Sequence, residues 1–417
     1  MSKLSQQIFI FSSFRSSDVG LSSSSEIALY DKRSLPLEDA IAASLIRPST
    51  KKCDPVNKIL FLKTHKTGSS TITNILNRYG DSRDLNMILP KSDKVFTFYW
   101  PTRFRFSFTA NLFGMEPHIL CNHARYNRKA MHLILPKNTS TYITILRHPL
   151  RQYESVFNFM NMAYALGYHE QRDPLATFLK FTPSGQDLRR LMKKKLSLYL
   201  IRNPMLFDLG LDFRYFQNKT AVQNYLNFID EEFGLVMIME YFDESLVLLK
   251  RLLCWDLEDI LYFKLNERPD KKKQALLTND VKQNIKSWNK ADVLLYERFN
   301  KTLWDKIEKI GPEFYRELDT FRKKKKEVEE TCLKNGTFLD EAYSGVYVKS
   351  YHLKNDVPLQ MKTLCERMLR NEINYVKLFR FKRTNRIWDL EEPEETLNDP
   401  KNDWDQGGND FDHDPET

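Results

Sequence analysis

Residues 58–76 read KILFLKTHKTGSSTITNIL, and three kinds of residue follow one another in that short space. Ile59, Leu60, Phe61 and Leu62 form a continuous apolar run between lysines, the pattern of a strand buried on both faces. Lys63 to Thr71 are polar and contain Gly68. Ile72, Ile75, Leu76 and Tyr79 then recur at three- and four-residue spacing, the period of an amphipathic helix. The expected order is strand, glycine-containing loop, helix. Such a junction gathers backbone N–H groups at a helix N-terminus, where the macrodipole adds positive potential. Gly68 permits close backbone approach, the Thr67–Thr71 segment supplies N–H and hydroxyl donors, and Lys63 and Lys66 supply charge. The stretch is an anion cradle. It departs from the nucleotide-triphosphate loop in which Lys and Ser/Thr directly follow the last glycine, because here Lys66 precedes Gly68.

A second unit of the same kind begins at Tyr142-Ile143-Thr144-Ile145-Leu146. It leads through Arg147-His148-Pro149 into a helical pattern carrying Tyr153, Val156, Phe157 and Met160. Arg147 and Ser155, at the end of the strand and on the following helix, suit a single phosphate held by a guanidinium and a hydroxyl. A β-prone run (Val95–Trp100) and a polar patch (Cys121–Arg128) lie between the two units. Further on, Leu235–Met239 reads as a strand, and Leu188–Leu200, Glu244–Cys254 and Asp280–Ile310 read as helices. Strands alternating with helices predict an α/β fold: a P-loop-like parallel sheet flanked by helices, with added helices toward the C-terminus.

Composition narrows the class. A chain of 417 residues with 28 Phe and 19 Tyr has the apolar content of a globular protein. Its formal charge of +9 favours acidic partners, yet residues 389–417 hold twelve acidic residues and one lysine. That stretch reads as a solvated acidic tail, and it counts against a nucleic-acid partner. The run Lys323–Lys326 reads as a solvated helix face. Four segments are expected: an irregular lead-in (1–55), a catalytic domain (56–320), a helical C-terminal extension (321–388) and the tail (389–417). The five cysteines lack a CxxC pair, so no metal site is expected. At most two internal disulfides can form, and Cys332–Cys365 is one candidate. Sequons stand at Asn138, Asn218, Asn300 and Asn335, and Ile8–Phe11 is the longest apolar run near the N-terminus, far short of the ~20 residues of a membrane span.

The segments FLKTHKTGSSTITNIL, CNHARY, ITILRHPLRQYESVFNF, EYFDESLVLLKRLLCWDLEDILYFKLNER and WNKADVLLYERFNKTLW together resemble the galactose-3-O-sulfotransferase family, over about residues 58–310. Thr64-His65 before Lys66 is the most specific part of the match, and the last hundred residues add nothing to it. The resemblance implies a sulfotransferase-type fold and 3′-phosphoadenosine-5′-phosphosulfate (PAPS) as donor, without a metal. It implies the 3-hydroxyl of a terminal β-galactose on a glycolipid or glycoprotein as acceptor. It also implies Golgi residence and membrane association, although the N-terminus shows no anchor.

On that footing Lys66, Thr67, Gly68, Ser69, Ser70 and Thr71 are expected to hold the 5′-phosphosulfate, with Lys63 assisting, and Arg147 and Ser155 the 3′-phosphate. The acceptor hydroxyl needs a base, and a neutral imidazole near pH 7 suits that work. His65, beside the donor loop, and His123, in Asn122-His123-Ala124-Arg125, are the two expected catalytic histidines, with His148 incidental. Trp100, Arg103, Phe104 and Arg125 are expected to wall the sugar site. Two other readings compete. A kinase or ATPase would need a magnesium site and a lysine after the glycine, and a non-catalytic binder of nucleotide or sulfated glycan would tolerate loss of Lys66, Arg147, Ser155 or the histidines. All of these residues are present.

Overall fold

The computed structural model describes residues 45, 53–93, 96–183, 185–264, 277–343 and 346–391. Most of the expected lead-in and the acidic stretch after Glu391 lie outside the described residues. Four strands form one parallel sheet: β1 (Ile59–Leu62), β2 (Ile119–Leu120), β3 (Thr141–Leu146) and β4 (Leu235–Ile238), in the order β2-β1-β3-β4. The register pairs Leu60 with Leu120 and with Tyr142, and Ile145 with Met237. Every β1 residue is fully buried, as a parallel strand covered on both faces must be. The expected α/β fold with a parallel sheet is the observed one.

Helices cover both β-ends that matter for a site. β1 runs through the loop Lys63–Gly68 into α1 (Ser69–Ser82), and β3 runs through Arg147-His148 into α2 (Pro149–Phe159). Pro149 starts α2 where its missing N–H costs nothing. A short helix, α3 (Pro204–Asp208), is pinned by the buried Asp292, whose carboxylate accepts the Met205 and Leu206 N–H groups at 3.0 and 2.9 Å. Burial raises the Asp292 carboxyl to about 7. Beyond β4 come α4 (Phe242–Leu253), α5 (Asn279–Trp288), α6 (Lys290–Ile310), which carries Asp292, and α7 (Pro312–Cys332). On α7, Lys325 pairs with Asp243 of α4 at 2.7 Å and Lys326 faces Glu330, so the lysine run is a helix face.

Three expectations change. Residues 321–388 are not wholly helical: β5 (Phe338–Tyr343) and β6 (Val346–Ser350) form an antiparallel pair between α7 and two further helices, α8 (Leu359–Leu369) and α9 (Glu372–Glu391). The alternating Val346-Tyr347-Val348 and the intervening Ser344-Gly345 carry strand and turn chemistry that a helical reading overlooks. The run Val95–Trp100 forms no strand among its described residues. Tyr99 takes a left-handed backbone (φ 50°) and a single bridge joins Thr97 to His123, which ends any ladder. Phe104 is fully buried against Phe98 and belongs to the core.

Two disulfides join distant segments, Cys53–Cys254 and the expected Cys332–Cys365, leaving Cys121 as a buried thiol. No helix among the described residues is long and apolar enough to cross a membrane.

Candidate active site

The loop after β1 is built by its own short side chains. Thr64 Oγ1 donates to the Ile145 carbonyl on β3 at 2.5 Å, and Ser69 Oγ donates to the Thr64 carbonyl at 2.7 Å. Thr67 Oγ1 lies 2.8 Å from Thr64 Oγ1. The Ser69 and Thr67 hydroxyls thus hold the loop's shape, while Ser70 and Thr71 remain half-exposed. Gly68 takes φ +80°, and a Cβ there would meet Met239 Cγ at 3.3 Å, so backbone and neighbour both require glycine. No side chain caps the start of α1. Its N-terminal N–H groups therefore suit an anion.

Lys66 stands at the turn of this loop with φ 61°, a left-handed backbone that a side chain adopts at a cost and that clusters at functional sites. Its Nζ lies 3.6 Å from the centroid of Phe159 at the end of α2. The two units meet here: Arg147 Nη1 donates to the Lys66 carbonyl at 3.2 Å and Gln152 Nε2 donates to the His65 carbonyl at 2.9 Å. Ser155, on the same helix, is buried. The structure thus places Arg147 against the loop after β1.

His65 and His123 are stacked, with ring centroids 4.1 Å apart and an interplanar angle of 16°. His65 Nδ1 lies 2.8 Å from Asp208 Oδ2, which also accepts the His65 backbone N–H at 2.8 Å. His123 Nδ1 lies 3.1 Å from the Lys63 carbonyl. A carboxylate and a carbonyl accept only, so both imidazoles donate through Nδ1. Burial, then the neighbouring His65, Lys63 and Lys66, push His123 well below the usual imidazole value, which leaves it neutral. Trp100 completes the group. Its indole N–H reaches Asp208 Oδ1 at 2.9 Å, and its ring sits 4.6 Å from that of His65.

Arg125 lies against Phe207 (4.0 Å to the centroid) and donates to the Phe207 and Leu211 carbonyls, while Arg103 donates to the Gly210 carbonyl. Burial, then Arg103, lowers Arg125 to about 10. These arginines shape the wall that carries α3. His148 donates its backbone N–H to Glu240 and meets the Tyr296 ring edge-on.

Two residues of this site escaped the sequence reading. Asp208 follows Met205-Leu206-Phe207 and precedes Leu209, and an acid set among apolar residues is itself a sign of a buried, partnered charge. Glu372, the first residue of α9, takes the Lys63 ammonium on Oε2 and the Asn122 amide on Oε1 at 3.0 Å. No local pattern marks it.

A parallel sheet flanked by helices, with a glycine-containing loop leading to an uncapped helix N-terminus beside two stacked imidazoles, defines an α/β protein with a candidate anion site. The family model described as Galactose-3-O-sulfotransferase matches residues 5–383, and the chain belongs to that family. It is 34% identical over 354 residues to the galactosylceramide sulfotransferase of Mus musculus, covering 81% of each chain. It is 32% identical to the galactose-3-O-sulfotransferase 2 of Homo sapiens, over 82% of this chain and 86% of that one. With the human galactose-3-O-sulfotransferase 3 it shares 35% identity over 61% of this chain and 58% of that one. The match extends past residue 310 and takes in α8 and much of α9, which corrects the expectation that the last hundred residues add nothing.

Proposed function

We propose that this protein transfers a sulfuryl group from PAPS to the 3-hydroxyl of a terminal β-galactose on a glycolipid or glycoprotein glycan. The observation that carries the reading is the meeting of the anion loop with the stacked His65–His123 pair, one of whose rings is backed by a buried carboxylate. The cradle suits a phosphosulfate: Gly68 leaves the space a Cβ would fill, and the start of α1 is uncapped. Bound there, PAPS would supply the sulfuryl group and depart as adenosine 3′,5′-bisphosphate.

Lys66 and the N–H groups of Thr67–Ser70 hold and neutralise the charged end of the donor, and preorganised donors of this kind carry much of the rate enhancement in transfer reactions. Arg147 and Ser155 serve the 3′-phosphate. His65 is the base. Its Nε2 takes the proton of the acceptor hydroxyl, and Asp208 fixes the tautomer and stabilises the charge that arises on the ring, as in acid–histidine pairs elsewhere. His123, neutral, supports the His65 ring from the stacked face and offers a second acceptor for the hydroxyl. Trp100 offers the sugar an aromatic surface, with Arg125 behind it. The two disulfides, together with exposed sequons at Asn138, Asn218 and Asn335, support residence in an oxidising, glycosylating lumen, for which the Golgi membrane is the proposed site.

The test is a transfer assay with radiolabelled PAPS and galactosylceramide, lactosylceramide, type 1 and type 2 N-acetyllactosamine and a galactose-free control. Label on galactose-terminated acceptors, lost in Lys66→Ala, supports the reading, and linkage analysis places it at the 3-hydroxyl. Label on another sugar alone discards the galactose assignment. Binding of the bisphosphate without label on any acceptor favours the non-catalytic binder.

A further inference from the structure

Lys63 is only 2% exposed, and a buried ammonium is stable only with a partner. That partner comes from the other end of the chain. Glu372 holds Lys63 through one carboxylate oxygen and Asn122 through the other, while the Lys63 carbonyl holds the ring of His123. One carboxylate therefore joins the donor loop, the segment bearing a catalytic histidine, and α9. Glu372 also stands in the first turn of α9, where the helix dipole favours a negative charge.

We propose that Glu372 is a positioning residue for donor binding, and that α9 is thereby part of the donor site. This rests on the reading of the loop as the PAPS cradle. The carboxylate neutralises one of the loop's two lysines and fixes it beneath the backbone, so that Lys66 is left to face the donor with its turn already formed. With Glu372 neutral, the Lys63 charge is uncompensated in a buried site, and the loop relaxes to relieve it. The donor is then bound by a loop that must first be reordered.

Anchors elsewhere on α8 and α9 keep that helix in place when Glu372 changes. Asp81 of α1 pairs with Arg367 and Lys382 at 2.8 Å each, and Asn74 donates to the Arg370 carbonyl at 2.9 Å. Arg380 donates to the Pro90 and Ser92 carbonyls, and Arg386 pairs with Asp84. A neutral side chain at position 372 thus changes the charge in the loop with the helix still docked.

The experiment uses the full chain and four variants: Glu372→Gln, Lys63→Met, the double variant, and Arg386→Ala. The readouts are adenosine 3′,5′-bisphosphate affinity by calorimetry, KM for PAPS and for acceptor, and Tm. Glu372→Gln is expected to weaken the bisphosphate and raise the PAPS KM by about tenfold, leaving the acceptor KM unchanged, as for a contact of about 1.4 kcal/mol. In the Lys63→Met background it is expected to add nothing. Arg386→Ala, which loosens the far end of α9, is expected to lower Tm without weakening the bisphosphate. Bisphosphate affinity of Glu372→Gln within about twofold of wild type, or an equal loss in both backgrounds, overturns the proposal. So does an equal loss in Arg386→Ala, which would make helix docking the whole effect. A wild-type protein that binds no bisphosphate instead sinks the PAPS reading itself, before any variant is compared.

Discussion

One oxygen of Asp208 accepts both the backbone N–H and the ring Nδ1–H of His65, each at 2.8 Å, while its other oxygen takes the Trp100 indole at 2.9 Å. The histidine is thereby fixed in position, in ring orientation and in tautomer by a single side chain.

Asp208→Asn preserves the shape but no longer compels the Nδ1–H tautomer. Loss of kcat by roughly 10²–10⁴-fold is expected, the range for disabling a general base and its orienting acid. Bisphosphate affinity should stay near the wild-type level, because the loop N–H that Asp208 accepts is that of His65, ahead of the Thr67–Ser70 groups at the helix start, and an asparagine oxygen can still accept it. Steady-state kinetics beside calorimetry checks both statements.

Gly68→Ala forces a side chain into φ +80° and against Met239. The strain costs about 1–2 kcal/mol, and thermal denaturation reads it as a lower Tm. If the loop shifts to relieve it, the N-terminus of α1 no longer faces the anion, so bisphosphate affinity falls as well. A variant with wild-type Tm and wild-type affinity would show that the cradle does not depend on this backbone.

His123 gives a pH-dependent difference whose sign is fixed. Its folded value lies well below 6.5, the ordinary imidazole value, so the folded state binds fewer protons than the unfolded state. Stability contributed by the neutral ring is complete above that ordinary value and is lost as the pH falls below it. Wild type is therefore expected to lose Tm relative to His123→Gln between about pH 7.5 and about pH 5.5. A constant gap across that window would mean that the ring titrates normally.

The sequons make a separate forecast about compartment. Asn138, Asn218 and Asn335 are exposed, whereas Asn300 lies within α6 with a buried, unpartnered Oδ1. Protein made in cells is expected to lose mass on glycosidase treatment, and Asn300→Gln is expected to leave that loss unchanged. No mass loss at all would argue against lumenal residence.

Much of this site was legible from residues 58–76 and 142–159 alone, for a physical reason. A strand buried on both faces and an amphipathic helix carry their periodicity locally, and the loop between them is confined by its neighbours. Both histidines could be singled out because each follows a strand end, and the structure stacks their rings. Asp208 and Glu372 were not, because their roles exist only across 143 and 309 positions of chain, where neither spacing nor propensity reaches. Trp100 was placed near the sugar, and the structure puts it beside His65. Phe104, four residues on, turned into the core, since an aromatic in a bend has no periodicity to say which way it faces.

The Lys63–Glu372 contact also orders events in time. Translation delivers the chain from its N-terminus, and domains begin to fold as they emerge. A ribosome that has released residues 58–310 has already made both histidines, the glycine turn and the arginine, yet the acid that closes over Lys63 is still unmade. A message truncated ahead of codon 372 would encode a polypeptide that carries both histidines, the glycine turn and the arginine, but not the acid that pairs with Lys63.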